Sequence, residues 1–395
     1  MTRSLMSRGS GVDARPLSVA VVTPWFPTES TPYRGSFVAT AAEAVSGLAE
    51  AVTVYHFQPR GSGRPTTSVP VQSTANVTVE DVFFTEAPFT TLGQSVRNRA
   101  RAFRDHTKGS LQTPVVHAHV GLTGGWPAVQ AAGRQSKVFV TEHASFLEAQ
   151  LADDDARKLY EEVVRECTRF FCVSGVLRGK LVAAFPYLAD KIDVAPNAVP
   201  IERITLRPEP VRELRRWLYL GGFLKSKGIE QVLDAFAHCR ASRPELSLTM
   251  VGGGADWPWL SRRVADMNLT SDVTLLDAVP HQQALELLYS HDLLVHASHY
   301  ETFGMTPIEA ISSGMPVLVT RCGGPEETLS GVIAHAGELV PVADNGTELV
   351  SGYERLASRL PQLDLRRARA TLERKYGLRA VADFYSVHYF GDHLV

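Results

Sequence analysis

Short apolar runs alternate with longer amphipathic stretches along most of the chain. The runs are rich in valine, leucine and isoleucine, which is typical of strands buried on both faces of a parallel sheet. Stretches with helical spacing, such as residues 37–48, lie between them. The alternation predicts α/β domains whose ligands bind at the carboxyl ends of the strands. The predicted strands are residues 17–22, 52–57, 115–120, 138–141, 170–173, 192–195, 217–220, 246–251, 273–276, 293–295 and 317–319.

The alternation is interrupted once, at residues 200–216, where the chain is charged and contains prolines. A chain of 395 residues is also too long for one ordinary core. We therefore expect two doubly wound, Rossmann-like domains, residues 16–199 and 200–375, that face each other across a cleft. Residues 376–395 have helical spacing and are expected to pack back on the first domain. Residues 1–15 are polar and rich in Gly and Ser, and are predicted to be disordered.

Charge and composition exclude several classes of protein. The formal net charge of −2 gives no electrostatic argument for binding nucleic acid or an anionic membrane. No apolar run approaches the roughly 18 residues that cross a bilayer, and the N-terminal residues lack the apolar core of a signal peptide. The four cysteines show no metal-site spacing and are predicted to be free buried thiols, which favours a cytoplasmic location. They are Cys167, Cys172, Cys239 and Cys322.

Residues 300–314 combine a turn, a helix start and two acids. Gly304 permits a tight turn, and Pro307 fits the first turn of a helix with Thr306 as the predicted N-cap. Backbone N–H groups at such a helix start form an anion site suited to a diphosphate. Glu301 lies before the turn and Glu309 after it, where carboxylates can accept hydrogen bonds from vicinal hydroxyls of a ribose or a hexose. Two unrelated surface charges are the alternative, which the Gly and Pro between the acids disfavour.

This segment resembles the E-x7-E motif of the family-4 retaining glycosyltransferases, which have the GT-B fold. The resemblance extends along most of the chain. Residues 273–325 follow the core of the family's C-terminal domain almost throughout. Further matches are residues 117–119, 141–144, 173–175, 196–199 and 217–231, together with Gly323, Gly324 and Glu326 in a GG-x-E turn.

The resemblance implies a role for each matching residue. Glu309 would hold the ribose hydroxyls, Glu301 would contact the donor sugar, and Lys227 would pair with the diphosphate. A departing diphosphate gains charge as the glycosidic bond breaks, so fixed cations and amide dipoles stabilise the transition state more than the ground state. The implied catalytic residues are Glu301, His143 and Lys227. The implied donor-binding residues are Glu309, Gly222, Phe303, Gly304, Met305, Thr306 and Gly35, and His119 and Ser36 are assigned to the acceptor side.

Two positions depart from the family pattern. Gly222 stands where the family often has an arginine that binds the diphosphate, and Lys225 or backbone amides are the alternatives for that contact. Asp277 stands where the family commonly has a glycine beside the base, which leaves the base open. The expected reaction is metal-free, cofactor-free transfer of a hexose or N-acetylhexosamine, with retention through front-face attack. The expected donor is a UDP-sugar, or else a GDP-sugar, and the acceptor is a small molecule or a glycan.

Three other interpretations remain at this stage. A related epimerase or phosphorylase with the same fold would also act on such sugars, and a non-catalytic sugar-nucleotide-binding module would bind without turnover. A dehydrogenase is disfavoured because the first predicted strand is not followed by the glycine fingerprint of dinucleotide-binding domains. Asp153, Asp154 and Asp155 precede a helical stretch and are interpreted as acids at a helix start rather than as metal ligands. The sequence assigns no oligomeric state.

Overall fold

The computed structural model of the protein describes residues 18–61, 67–71 and 73–391, so the predicted disorder at residues 1–15 lies outside the described residues. Two separate parallel sheets carry the fold. The first contains β1 (Ser18–Thr23), β2 (Ala51–Arg60), β3 (Val77–Thr85), β4 (Val115–His119), β5 (Lys137–Glu142), β6 (Arg169–Cys172) and β7 (Ile192–Val194). The second contains β8 (Arg216–Leu220), β9 (Ser247–Val251), β10 (Val273–Leu276), β11 (Leu293–His296), β12 (Val317–Thr320) and β13 (Gly337–Val340).

Helices connect the strands in both halves. Those of the first half are α1 (Ser36–Ser46), α2 (Leu92–His106), α3 (Gly125–Ala131), α4 (Leu147–Leu151), α5 (Asp154–Glu166) and α6 (Gly175–Ala184). Those that follow β8 are α7 (Ile229–Ser242), α8 (Trp257–Asp266), α9 (His281–Ser290), α10 (Met305–Ser312), α11 (Gly324–Thr328), α12 (Ile333–Ala336), α13 (Thr347–Arg359), α14 (Leu365–Tyr376) and α15 (Leu378–Phe390).

Both sheets are doubly wound, as the alternation predicted. The strand orders are β3-β2-β1-β4-β5-β6-β7 and β10-β9-β8-β11-β12-β13, and neighbouring strands pair in parallel. Val19, for example, is in register with Val52 on one side and Val115 on the other. The order reverses between β1 and β4 and again between β8 and β11, and ligands bind at such switch points. The predicted fold class is therefore confirmed.

Residues 201–215 are folded onto the rest of the molecule. They include a short 3-10 helix at Ile201–Arg203 and buried apolar side chains such as Ile204. Arg369 of α14 donates hydrogen bonds to the carbonyls of Ile201, Ile204 and Ser312, which ties this segment to α10. The connection is thus held in a defined position.

The last helix, α15, lies against the N-terminal half. Its buried residues Val381, Tyr385 and Tyr389 belong to the core cluster that contains Val19 of β1. The Tyr389 hydroxyl forms a hydrogen bond of 2.6 Å with Nδ1 of His117. The C-terminal segment therefore joins the two halves a second time.

Other expectations from the sequence have definite outcomes. All four cysteines are buried and free, as predicted. Two strands, β3 and β13, were not predicted. In the described part of the chain, no helix combines the length and apolarity needed to cross a membrane.

Candidate active site

Glu301 lies in the loop that follows β11, with both its backbone and its side chain held in place. Its N–H donates to the carbonyl of Cys322 (2.9 Å), and its carbonyl accepts from Gly324 N–H (2.8 Å). Its Oε1 lies 2.6 Å from Lys227 Nζ and accepts a hydrogen bond of 3.0 Å from Ser298 Oγ. The loop thus presents one carboxylate and one ammonium group as a fixed pair.

The environment keeps Glu301 ionised. Burial alone would raise its pKa, but the hydrogen bond from His296 and the charge of Lys227 outweigh burial and lower the pKa to about 2. His296 Nε2 is 3.5 Å from the same carboxylate oxygen. At neutral pH Glu301 is therefore a hydrogen-bond acceptor, able to receive a sugar hydroxyl.

Helix α10 begins where the sequence placed an anion site, but its cap differs from the prediction. Gly304 is the N-cap, in the left-handed conformation with φ 84°, and Thr306 is the second residue of the helix. The prediction of Thr306 as the N-cap was wrong, because the glycine already makes the turn that ends the loop. Gly304 has no side chain to cap the first turn, so the N–H groups of Met305 and Thr306 can serve a ligand.

Phe303 is a core residue and not a wall of the site. Its side chain is 3 % exposed and packs edge-on against Tyr376, with ring centroids 5.3 Å apart. Its carbonyl accepts a hydrogen bond from Thr328. A role in donor binding is thus restricted to its backbone N–H.

Glu309 lies beside a cavity of about 300 Å³, here called the donor cavity. Its side chain is buried, and its Oε1 accepts a hydrogen bond of 2.7 Å from Nε2 of His281, the first residue of α9. This hydrogen bond raises the pKa of His281, although burial opposes it. The donor cavity is lined by Tyr33, Ser36, Leu220, Gly221, Gly222, Val251, Gly252, Gly253, Ala278, Val279, His281, Ala284, Met305, Thr306 and Glu309.

Several of the predicted donor residues meet in the donor cavity, together with two polar side chains that sequence reasoning missed. Gly222, Met305, Thr306 and Glu309 line it, and so does Ser36, which the sequence placed on the acceptor side. His281 and Tyr33 were missed. Tyr33 lies in the same short segment as Ser36, so that segment was a usable signal, whereas nothing in the sequence connects His281 with Glu309.

Gly35 has a different role from the one expected. Its φ is 72°, and a Cβ atom there would lie 2.4 Å from the backbone of Trp25. The glycine therefore lets the start of α1 pack against the loop that follows β1. It does not line the donor cavity.

Lys225 is not among the residues that line the donor cavity. Its ammonium lies 4.9 Å from the centre of the Trp259 ring, and its N–H donates to Asp256. Position 222 has room for a side chain, since a Cβ atom on Gly222 would be 3.8 Å from its nearest neighbour, the carbonyl of Gly253. The position of Lys225 gives no support to the expectation that it replaces the arginine missing at Gly222.

His119 and His143 form a buried pair at the carboxyl ends of β4 and β5. His119 Nδ1 and His143 Nε2 are 2.9 Å apart, so one nitrogen donates and the other accepts. Burial lowers the pKa of His119 to about 3, and burial together with His119 places the pKa of His143 well below its usual value. Both imidazoles are therefore neutral at physiological pH and serve as hydrogen-bonding groups rather than as cations.

Glu142 fixes the loop that carries His143. It is fully buried, and its carboxylate accepts hydrogen bonds from the N–H groups of His143 and Ala144 (2.7 Å each) and of Gly121 (3.1 Å). The Tyr160 hydroxyl donates a fourth, at 2.5 Å. Sequence reasoning assigned this residue no role; two of its partners, Gly121 and Tyr160, lie on other parts of the chain.

Hydrogen bonds between the two halves bring His143 and Glu301 into one site. Thr302, the neighbour of Glu301, donates from Oγ1 to the carbonyl of His143 at 3.0 Å. Nearby, the N–H of Gly175 donates to the carboxylate of Glu327 at 2.6 Å. The candidate site therefore lies in the cleft between the sheets.

The three consecutive aspartates have the structural role that was expected. Asp153 caps α5, accepting a hydrogen bond of 2.8 Å from Ala156 N–H, and Asp155 pairs with Arg97. Across the described residues, no group of three or more His, Cys, Asp or Glu side chains is arranged to hold a metal ion.

The chain has two doubly wound domains that face each other. Glu301, Glu309 and the N-terminus of α10, which has no side-chain cap, lie at the switch point of the second sheet. These features define the chain as a protein of the GT-B class. Comparison with known families is consistent with this. The family described as "Glycosyltransferase Family 4" matches residues 37–203, and "Glycosyl transferases group 1" matches residues 207–358. The two matches together cover most of the chain, which therefore belongs to the family-4 (group 1) glycosyltransferases.

Two individual relatives match only part of the chain, at 30 % identity or less. Glycogen synthase of Mycobacterium tuberculosis is 27 % identical over 233 residues, which is 56 % of each chain. Mannosylfructose-phosphate synthase of Agrobacterium fabrum is 30 % identical over 164 residues, 39 % of this chain and 36 % of the relative. The chain spans about half the length of the first curated relatives it matches. Among solved structures, sucrose-phosphate synthase of Thermosynechococcus elongatus has a TM-score of 0.73 at 19 % identity, covering 95 % of this chain and 98 % of that one.

Proposed function

We propose that the protein transfers a hexose or N-acetylhexosamine from a nucleotide-sugar to an acceptor hydroxyl with retention of configuration. The observation that carries the proposal is the Glu301–Lys227 pair beside the open start of α10, in the same cleft as Glu309. Family membership supports the class of reaction. The donor proposed first is a UDP-sugar, and a GDP-sugar is the alternative.

Each of the three groups has a task in donor binding. Glu309, with one oxygen held by His281, offers its other oxygen to the ribose hydroxyls. Glu301 accepts hydrogen bonds from hydroxyls of the transferred sugar. Lys227 and the N–H groups of Met305 and Thr306 bind the diphosphate, and their attraction grows as charge develops on the leaving group.

The proposed step is a front-face substitution. The acceptor oxygen forms a bond to the anomeric carbon on the side from which the diphosphate departs. The bond between that carbon and the diphosphate oxygen breaks, and its electron pair goes to the diphosphate. The acceptor proton passes to the departing phosphate oxygen, so no enzymic nucleophile and no metal ion are assigned. His143, which is neutral, is available to accept a hydrogen bond from a sugar hydroxyl.

The relatives leave the acceptor open. Their names refer to glycogen and to mannosylfructose phosphate, which are a polymer and a phosphate-bearing sugar. We therefore propose a hydroxyl on a small molecule or a glycan as the acceptor.

The test is a panel of UDP- and GDP-sugars with mixed acceptors, monitored for nucleoside diphosphate release and for product mass. Glu309→Gln should weaken donor use strongly, whereas Asp154→Ala, at the exposed start of α5, should not. Binding of a donor without release of diphosphate under any condition would support a binding module and refute the proposal. Activity that is lost in EDTA and restored by manganese would refute its metal-free form.

A further inference from the structure

A second cavity, of about 700 Å³, lies at the carboxyl end of the first sheet and is here called the Arg99 cavity. Its volume is suited to a ligand of monosaccharide or disaccharide size. Its lining residues come from the loop after β1, from β2 and β3, and from α2 and α4. Those that bear on ligand binding are Trp25, Arg34, Glu86, Arg99, Phe146 and Gln150.

Aromatic contacts connect the Arg99 cavity to the candidate active site. Trp25, on the cavity wall, packs edge-on against Phe37 at 6.1 Å. Phe37 contacts the ring of His143 at 4.5 Å, and the carbonyl of His143 binds Thr302 beside Glu301. A ligand in the Arg99 cavity would therefore lie on the acceptor side of the site.

The charge of the lining is strongly biased. Among the described lining residues, the charged side chains are Arg34, Arg60 and Arg99 against the carboxylate of Glu86, in a chain whose net charge is −2. The neighbouring His56 adds no charge at neutral pH. Burial and the nearby Arg34 lower its pKa to about 4, against the opposing influence of Asp81. The cavity thus carries an excess of positive charge.

Arg99 is a partly buried cation whose hydrogen bonds are incomplete. Its side chain is 14 % exposed and lies 4.2 Å from the centre of the Phe84 ring. Its Nη1 is 4.0 Å from Glu86 Oε1 and donates a hydrogen bond to Ser95 Oγ. Its Nε has no hydrogen-bond partner among the described residues. Burial lowers the pKa of Arg99, and so does the positive charge of Arg34, whereas the negative charge of Glu86 raises it. An anion in the cavity would supply the missing acceptor.

Arg34 is the second cation of the pair and has the greater freedom. It is exposed, and within the described ranges its guanidinium makes no hydrogen bond or ion pair. Two arginines that face one space repel each other unless an anion lies between them, and a guanidinium binds carboxylate or phosphate through two hydrogen bonds. Gln150, 4 % exposed on the same wall, has an amide oxygen with no partner among the described residues and can accept from a ligand hydroxyl.

We propose that the acceptor is a small hydroxyl compound with an anionic group, a phosphate ester or a carboxylate, which Arg34 and Arg99 bind while Trp25 and Phe146 contact its ring. This inference rests on the proposed function, because it names the acceptor class for that transfer. The reactive hydroxyl then points along Phe37 toward His143, and the anionic group lies at the far end of the cavity.

The first experiment compares matched acceptors with the donor identified in the panel: glucose, glucose 6-phosphate and glucuronate, and fructose with fructose 6-phosphate. Each charged acceptor should have a higher kcat/KM than the corresponding neutral sugar. Comparison of glucose 6-phosphate with glucuronate shows whether the anionic group is a phosphate ester or a carboxylate. Arg34→Gln and Arg99→Gln should each raise the acceptor KM about 10- to 150-fold, as expected for loss of a charged hydrogen-bond partner. Arg101→Gln, an exposed change on the same helix as Arg99, is the matched control. Equal use of neutral and charged acceptors, or an unchanged KM in Arg34→Gln, would refute the inference.

The second experiment does not need transfer. Inorganic phosphate should raise the thermal midpoint of the wild-type protein more than that of the Arg34→Gln/Arg99→Gln double variant. An equal rise in both would show that the Arg99 cavity does not bind the anion. Donor affinity, measured by calorimetry, tests the other site: if no nucleotide-sugar binds, the proposed function fails, while the phosphate response still reports on the Arg99 cavity.

Discussion

Lys227 and Lys225 lie two residues apart on one short 3-10 turn, which makes them a matched pair for testing how the diphosphate is bound. Lys227 Nζ is 2.6 Å from Glu301, and Lys225 Nζ lies over Trp259. The change Lys227→Met keeps the apolar stem and removes the charge. A hydrogen bond from a charged donor contributes about 1.5–3 kcal/mol, so donor affinity should fall about 10- to 150-fold. Lys225→Met should change it by less than about three-fold.

The fold should survive the loss of Lys227, because Glu301 keeps its hydrogen bond from Ser298 and the nearby His296. The double variant Lys227→Met/Glu301→Gln removes the unpaired carboxylate as well. It therefore separates the loss of the cation from repulsion between Glu301 and the diphosphate. Should the double variant recover most of the affinity, repulsion is the main cause.

The assay is calorimetric titration with UDP and with GDP, followed by kcat/KM for the donor from diphosphate release. Circular dichroism and the thermal midpoint check that each variant is folded. The reasoning would be refuted by unchanged nucleotide affinity in folded Lys227→Met, or by a larger loss in Lys225→Met.

Three further predictions follow from single contacts. Gly222→Arg should tighten UDP binding by up to about 10-fold, because position 222 has room for a side chain, and a titration that shows weaker binding would contradict this. Glu301 has a pKa of about 2 instead of 4.5, so its ionised form contributes about 3 kcal/mol to the free energy of unfolding above pH 4.5, and this contribution is lost as the pH falls toward 2. Urea unfolding at about pH 5 and pH 3 should therefore show a smaller effect of pH in Glu301→Gln than in the wild type. Glu142→Gln should lower the free energy of unfolding by about 2 kcal/mol or more, because the amide NH₂ cannot accept the hydrogen bonds that the buried N–H and O–H donors make to the carboxylate. Tyr160→Phe removes only one of these donors, so it should lower the free energy of unfolding by less.

The buried strands were predictable because their position in the fold leaves a clear mark on the sequence. A parallel strand covered on both faces is rich in apolar residues, and every residue of β4 and of β12 is buried. β3 was missed because it is an edge strand in which Glu80 and Asp81 interrupt the apolar run. β13 is four residues long and begins with a glycine, which weakens any strand signal.

Residue patterns alone pointed to the candidate site only where its chemistry is local, whereas His143 and Lys227 were expected from the family resemblance. Glu301, Gly304 and Glu309 lie within one short segment, and their spacing alone indicates a turn, a helix start and two acids. The cap was misassigned because the sequence does not show which residue has positive φ. The partner of Glu309, His281, is 28 residues earlier, and Thr302 reaches His143 across 159 residues. The first contact depends on how α9 packs beside α10, and the second on how the two domains meet. No local pattern records either.

The distribution of charge in the cleft explains how two anionic substrates could react there. The cation proposed for the donor diphosphate, Lys227, is on the C-terminal half, and those inferred for the acceptor, Arg34 and Arg99, are on the N-terminal half. The histidine pair, which burial keeps neutral, adds no charge to the proposed reaction centre. Each anion would be neutralised on its own domain, so closure of the cleft need not force two uncompensated charges together. The hydrogen bond from Thr302 to the carbonyl of His143 can then hold the closed arrangement without an ion pair at the reacting centre.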